Sequence, residues 1–378
     1  MTENVPQTVT METVAREAGV SRATVSLVYR GVKGPSRASI EKVLAAGSRL
    51  GYRHNAIAAR LASKRTNTLG LSILDITNEV FTEIYEGVRD ALADTGLKIV
   101  LTAATPGSGD ELESVESLLS VRVDAALVAG SMLDDAELAS LASSTPFVVV
   151  SRLVPGVDSV ASDDRLGGEL ATRHLLELGH RRIVHLVPPV GPHYTARGRG
   201  YDEAMRAAGL QPRRAHTGFS LATAAATTTQ LLRGDDRPTA VFADNDVMAL
   251  GALTAAAELG LSVPRDLSVV GYDDTRAAAL PGVALSSVNQ QARRLGRIGA
   301  EYALDALSGA GTGAGSGSGR ARSSSGSGSG SVTAASADSG SSPTPSPESV
   351  SRAQPDSPRQ TLLDPSLHLR ASTAPPSR

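Results

Sequence analysis

Between residues 67 and about 308 the chain alternates short apolar runs with helical stretches, and no other feature narrows the fold as far. The runs are Leu69–Leu74, Ile99–Thr102, Ala125–Val128, Phe147–Ser151, Ile183–Val187, Ala240–Ala243 and Leu267–Gly271. Each is apolar almost throughout rather than alternating, as a strand covered on both faces must be. Helical stretches fall between them, among them Glu83–Thr95, Gly168–Leu178, Tyr201–Ala208 and Asp246–Leu259. Regular strand–helix order predicts parallel sheets with crossover helices on both faces, a doubly wound α/β core. Aromatic residues make up only 3% of the chain and Trp is absent, so that core must be packed with Ala, Val, Leu and Ile.

The first 66 residues differ in character. They carry eleven Lys and Arg against four acidic residues, a net +7, whereas the rest of the chain carries −9. A basic head on an acidic body fits a head that binds a polyanion. The pattern of this head is helical. Met11–Ala18 has an apolar stripe of Val14, Ala15 and Ala18, with Thr10 as N-cap. Gly19 supplies a tight turn, Ser21 caps Arg22–Tyr29, and Val25 and Val28 point inward. A third helix, Arg37–Leu50, is capped by Ser36, ended by Gly51, and expected to bury Ile40, Val43, Leu44 and Leu50. Two short helices joined by a tight turn make a helix-turn-helix, whose second helix enters the major groove of DNA. Arg22, Ala23, Ser26 and Leu27 are left facing outward. Arg22 has the forked donor geometry that pairs with guanine O6 and N7. The hydroxyls of Ser21, Thr24 and Ser26 suit phosphate oxygens.

The run AREAGVSRATVS, followed by LGY and then by NAxAxRL, resembles the LacI/GalR family of bacterial transcription repressors. The likeness continues through LGLSILDITNEVFTEIYEGV, ELATRHLLELGHRRI, TARGRGYDEAM, PTAVFADNDVMALGAL and VPRDLSVVGYDD. It implies an all-α helix-turn-helix head over residues 1–54, then a hinge helix and linker over 55–66. After these comes a periplasmic-binding-protein-like α/β core over 67–378, made of two doubly wound parallel-sheet subdomains. The first subdomain is expected at about 67–165 and 290–308, the second at about 166–289 and 359–378. Residues 309–358 are rich in Gly, Ser and Pro and form an insert expected to be disordered. Leu367, Leu369 and Ala371 alternate with His368 and Arg370, which predicts a strand returning to a sheet beyond that insert. The resemblance also places the hinge in the minor groove, with Leu61 as an apolar wedge between base steps. The DNA-contacting set then comprises Thr10, Ser21, Arg22, Ala23, Thr24, Ser26, Leu27, Arg30, Asn55, Ala58 and Leu61. Departures from the family pattern are His54 for a Pro, Thr13 for an acidic residue, Leu27 for a polar one, and Tyr29-Arg30 for Leu-Asn.

In such a core the ligand binds between the lobes, where loops at the strand ends converge. By resemblance the effector site falls on Asp75, Phe81, Arg152, Arg197, Asn245 and Asp273. Asp, Asn and Arg offer fixed donors and acceptors to sugar hydroxyls, and Phe81 offers a face for stacking. Structural roles compete at each position. Asp75 and Asp273 stand where loop caps occur, Arg197 where a salt bridge would join the lobes, and Asn245 where the next helix needs an N-cap. Ser151 replaces the Asp the family usually has beside Arg152.

The chain has no Cys, so disulfides and thiolate metal sites are excluded. It contains no G-x-S-x-G elbow, H-E-x-x-H pair or Walker loop. The expected protein is a non-enzymatic, sequence-specific transcriptional repressor, cytoplasmic and associated with the nucleoid. Its partners would be double-stranded, pseudo-palindromic operator DNA, a small-molecule effector of carbohydrate type, and a second copy of itself. No cofactor, metal or membrane is expected. The competing readings are a solute-binding transport protein, suggested by the body alone, and a sugar-acting enzyme on the same core. The basic head argues against the first, and the missing catalytic constellations against the second.

Overall fold

A computed structural model describes residues 9–29, 34–52, 65–188, 192–312 and 357–377. The chain divides into two compact units, residues 1–66 and 67–378.

The described part of the head is three helices: α1 (Met11–Ala18), α2 (Arg22–Tyr29) and α3 (Arg37–Leu50). The hydroxyl of Thr10 accepts the N–H of Thr13, and Gly19 ends α1 in the left-handed region at φ 63°. Val14, Ala15, Ala18, Val25, Val43 and Ala46 form a small closed core. The expected burial of Ile40 and Leu44 is not met, for they are 37% and 49% exposed. The reason is length. Helix α3 is about 21 Å long, and α1 and α2 are about 12 Å each at 1.5 Å per residue. The short pair covers the stripe through Val43, Ala46 and Gly47 and leaves its flank open.

The body has two six-stranded sheets. The first runs β11-β5-β4-β3-β1-β2, with β1 (Thr68–Ile73), β2 (Lys98–Ala103), β3 (Ala125–Ala129), β4 (Phe147–Val150), β5 (Asp158–Ser162) and β11 (Gln360–Leu363). The second runs β12-β10-β9-β8-β6-β7, with β6 (Ile183–Val187), β7 (Arg214–His216), β8 (Ala240–Ala243), β9 (Ser268–Tyr272), β10 (Ser286–Asn289) and β12 (Ser366–His368). Every pairing is parallel except β10 with β12. Among the described residues, nine helices follow the head in chain order: α4 (Glu79–Ala91), α5 (Glu111–Ser120), α6 (Asp135–Leu141), α7 (Asp164–Glu177), α8 (Pro192–Ala207), α9 (Leu221–Arg233), α10 (Asp246–Glu258), α11 (Arg276–Ala279) and α12 (Ala292–Thr312). Each sheet is packed on both faces, and the two faces have separate cores, aliphatic for the most part, with Tyr201, Phe242 and Tyr272 buried together on one face of the second sheet. This is the doubly wound arrangement the alternation predicted.

Three placements differ from the sequence expectation. Residues 360–363 belong to the first sheet, beside β5, not to the second lobe. Arg359 fixes that edge with ion pairs to Asp158 and Asp305 at 2.6 and 3.0 Å. The returning strand is confined to 366–368, and Leu369 lies beyond it, 60% exposed. Helix α12 continues to Thr312, four residues into the expected insert. No Pro stands at the expected boundary, and Gly309 and Gly311 are carried within the helix.

Close backbone approach sets the second lobe's outer layer. A Cβ on Gly168 of α7 would collide with the carbonyl of Arg197, and one on Gly200 of α8 with the carbonyl of Arg165. Only glycine at both crossings lets α8 lie this near α7, and that nearness carries the Arg197 side chain inward.

Candidate functional site

On the head, Ser21, Arg22 and Ala23 are exposed at the start of α2, with Thr24, Ser26 and Leu27 half-buried. The Ser21 hydroxyl accepts the N–H of Thr24 at 3.1 Å and shares a 2.9 Å hydrogen bond with the Thr24 hydroxyl. Both are thus engaged in the helix cap. Arg22 is exposed in the first turn and makes no ion pair among the described residues. Arg30, Asn55, Ala58 and Leu61 lie outside the described residues, as does the expected hinge helix. The Tyr29 departure has a structural counterpart. Its ring meets Tyr52 edge-on at 5.2 Å, and its hydroxyl lies where a Cβ on position 47 would be, so Gly47 makes room for it.

In the body, the loops at the carboxyl ends of both sheets close on a cleft. Five of the six expected effector residues line it: Asp75, Phe81, Arg197, Asn245 and Asp273. Asp75 follows β1, and its Oδ1 accepts the Thr77 N–H and hydroxyl at 2.8 and 2.6 Å, leaving Oδ2 for the cleft. Phe81 stands in the first turn of α4, 6% exposed. Asn245 caps α10, its Oδ1 accepting the N–H of Met248 at 2.9 Å, so the amide nitrogen remains for a ligand. Capping and lining coexist at this position.

Arg197 is fully engaged. It donates to Asp164 Oδ1 at 3.0 Å and to the Asp244 carbonyl at 2.6 Å, and its guanidinium lies 3.7 Å from the centre of the Tyr272 ring. The nearest Asp273 oxygen is 4.0 Å away. The competing lobe-joining role is not what is seen: Asp244 and Asp273 belong to the second lobe, and so does Asp164, because α7 packs on β8, β9, β10 and β12 and not in the first lobe, where the expected boundary at 165 had placed its start. Asp273 sits at φ 110°, a conformation L residues seldom adopt. It accepts from Gln290 Nε2 at 2.6 Å and from Asn78 Nδ2 at 3.4 Å. Burial pushes its carboxyl up to about 8 against the opposing pull of Arg197. Burial wins because Arg197 spends its short contact on Asp164.

Arg152 is a correction. Its side chain turns away from the cleft, donates to the carbonyls of Ser131 and Leu133 at 3.2 and 2.8 Å, and pairs with Asp135. Glu111 holds the same loop from the other side, taking the Met132 N–H at 3.1 Å. Without an acid at position 151, nothing in the cleft draws the guanidinium inward, and the carbonyls after β3 take it. Ser151 itself lines the cleft.

Sequence reasoning singled out neither Asn78 nor Gln290. Asn78 caps α4 from the first lobe and reaches Asp273 of the second, so one bond crosses the cleft. A second cross-lobe clasp lies beside it. Arg276 of α11 meets Glu83 and Glu86 of α4 at 2.9 and 2.6 Å, and the Ala277 N–H donates to Glu79 at 3.0 Å. The available signal was Asn before a run of Glu, an N-terminus pattern, which starting the helix at Glu83 passed over.

Residues 10–55 match the family model for bacterial regulatory proteins, lacI family, and residues 172–316 match the periplasmic binding protein-like domain. Catabolite control protein A of Priestia megaterium is 32% identical over 300 residues, covering 77% of this chain and 90% of that protein. The HTH-type transcriptional regulator GalR of Escherichia coli (strain K12) is 33% identical over 305 residues, covering 78% of this chain and 88% of that one. Among solved structures, the lac repressor dimer bound to operator and the anti-inducer ONPF has TM-score 0.72 at 25% identity, covering 97% of this chain and 100% of that chain. A complex of the transcriptional regulator CelR with cellobiose has TM-score 0.62 at 30% identity, covering 96% and 99%.

Proposed function

The chain belongs to the lacI family of bacterial regulatory proteins, and from that premise we propose that it is a homodimeric repressor whose grip on operator DNA is set by a sugar-type effector in the body's cleft. The observation that carries this reading is the cleft lining. Asp75, Asn78 and Phe81 come from one lobe, and Arg197, Asn245 and Asp273 from the other. A ligand held by both lobes has different contacts in the open and closed arrangements, and only such a difference shifts an equilibrium. The coupling expected is about 1–3 kcal/mol and is reciprocal between effector and DNA.

In this reading α2 lies in the major groove, with Arg22 reading a base edge and Ala23, Ser26 and Leu27 forming the contact surface around it. Two heads read two half-sites of a pseudo-palindrome. By family resemblance Asn55, Ala58 and Leu61 occupy the minor groove at its centre, and Arg30 reaches a phosphate or base. The family's sugar-bound member CelR with cellobiose supports a carbohydrate effector.

An electrophoretic shift assay with the full chain, a pseudo-palindromic duplex and a panel of sugars tests the reading. The expected result is a discrete shifted band whose midpoint one of the sugars moves by about fivefold or more. Equal, weak retardation of every duplex, untouched by any sugar, would overturn it.

A further inference from the structure

We infer that the cleft admits an uncharged, hydroxyl-rich effector and rejects phosphorylated or carboxylated molecules of the same size; this rests on the reading of the cleft as the effector site. The argument is a charge inventory. Among the described residues, the loops that follow β1 to β11 open toward the cleft end of the two sheets, and together they carry eight aspartates, no glutamate and a single Lys or Arg, Arg152.

Arg152 has left the cleft for the carbonyls of Ser131 and Leu133 and the carboxylate of Asp135. Among the described lining residues Arg197 is the one cation. Its charge is met at 3.0 Å by Asp164, itself buried, and its face is covered by Tyr272. Among the described residues no cationic group is therefore left to neutralise an incoming anion. Asp75 keeps an unshared carboxylate oxygen at the mouth, which repels one.

Helix N-termini are the usual alternative source of anion affinity. Here α4 and α10 point at the cleft with their ends closed by Asn78 and Asn245, while α6 and α7 are capped by the carboxylates of Asp134 and Asp163. Each of these four side chains takes one backbone N–H of its helix and so competes with a phosphate there, and the carboxylates of Asp134 and Asp163 also repel it. What remains suits hydroxyls: one oxygen of Asp75, the amide nitrogen of Asn245 and the hydroxyl of Ser151, with Phe81 and Phe219 as apolar walls.

The test is calorimetric titration and thermal unfolding of the full chain with paired probes. Glucose, ribose and cellobiose are set against glucose 6-phosphate and ribose 5-phosphate. Sodium phosphate alone is set against sodium chloride at equal ionic strength. The expected result is that binding comes from a neutral sugar, that its phosphorylated partner is at least about tenfold weaker, and that phosphate adds nothing beyond chloride. Asp75→Arg, which puts a cation at the mouth, should gain a phosphate response absent from the parent. A phosphorylated sugar that binds as well as its neutral partner would overturn the inference. So would stabilisation of the parent by phosphate, or no phosphate response in the Asp75→Arg protein. If no neutral or phosphorylated sugar binds, the sugar reading of the cleft fails, and the phosphate arm still decides the charge question.

Discussion

At the scale of single residues, the account rests on side chains whose neighbours leave them one role. Gly47 exists for the Tyr29 hydroxyl. Gly47→Ala should destabilise the head by about 1–3 kcal/mol through overpacking and weaken operator binding with it. Adding Tyr29→Leu should restore both, as a coupled pair requires. Urea unfolding and anisotropy titration of the full chain read the two effects, and a double mutant no better than the single would refute the contact. Asp273 supplies a pH signature. Its unfolded carboxyl releases a proton near about 4, whereas the folded one holds it to about 8. The folded state therefore binds the extra proton between those values. Stability from this group is full below the lower value and is lost as pH rises through the higher. Asp273→Asn should flatten the decline in unfolding midpoint between about pH 4 and about pH 8; an unchanged slope would place the proton elsewhere. Five cleft-lining positions were legible through the family resemblance, and three of them, Asp75, Asn245 and Asp273, also lie within two residues of a strand end. Arg152 was not, because its direction depends on carbonyls about twenty residues away in a different loop.

At the scale of elements, the central strands were legible because a strand covered on both faces must be apolar throughout. The exceptions are β5 and β10, interior strands that carry Asp, Ser or Asn in place of such a run and were not read, and β11, an edge strand with Leu362 52% exposed that was assigned to the wrong lobe. Helix starts were read late at α4 and α7, whose first turns open with the acidic residues Glu79 and Asp164 rather than with the apolar stripe. That offset hid Asn78 and the clasp between α4 and α11. Arg276 engages Glu83 and Glu86 there, 61% exposed itself, so its worth is modest, about 0.2–1 kcal/mol. Arg276→Ala should leave the unfolding midpoint almost unchanged yet favour separation of the lobes. Small-angle scattering and effector affinity check this: a slightly larger radius of gyration and a few-fold weaker effector are expected. Identical scattering and affinity would show that the clasp holds nothing.

At the scale of the whole molecule, charge is distributed so that one end seeks a polyanion and the other is indifferent to it. The head's +7 against the body's −9 predicts that operator affinity falls linearly with the logarithm of salt, with a slope of about −0.9 for each phosphate neutralised. Effector affinity, resting on an uncharged ligand among paired side chains, should change little over the same range. A flat operator dependence would remove the electrostatic basis of binding. The central claim is that the cleft and the DNA-reading surface share one equilibrium, and linkage tests it without knowing the path between them. The measurement is a pair of titrations on the full chain: operator affinity with the cleft empty and saturated by its sugar, and sugar affinity with operator absent and saturating. The account predicts that both ratios are the same factor, about 5 to 150. An operator affinity that ignores a saturated cleft would contradict it.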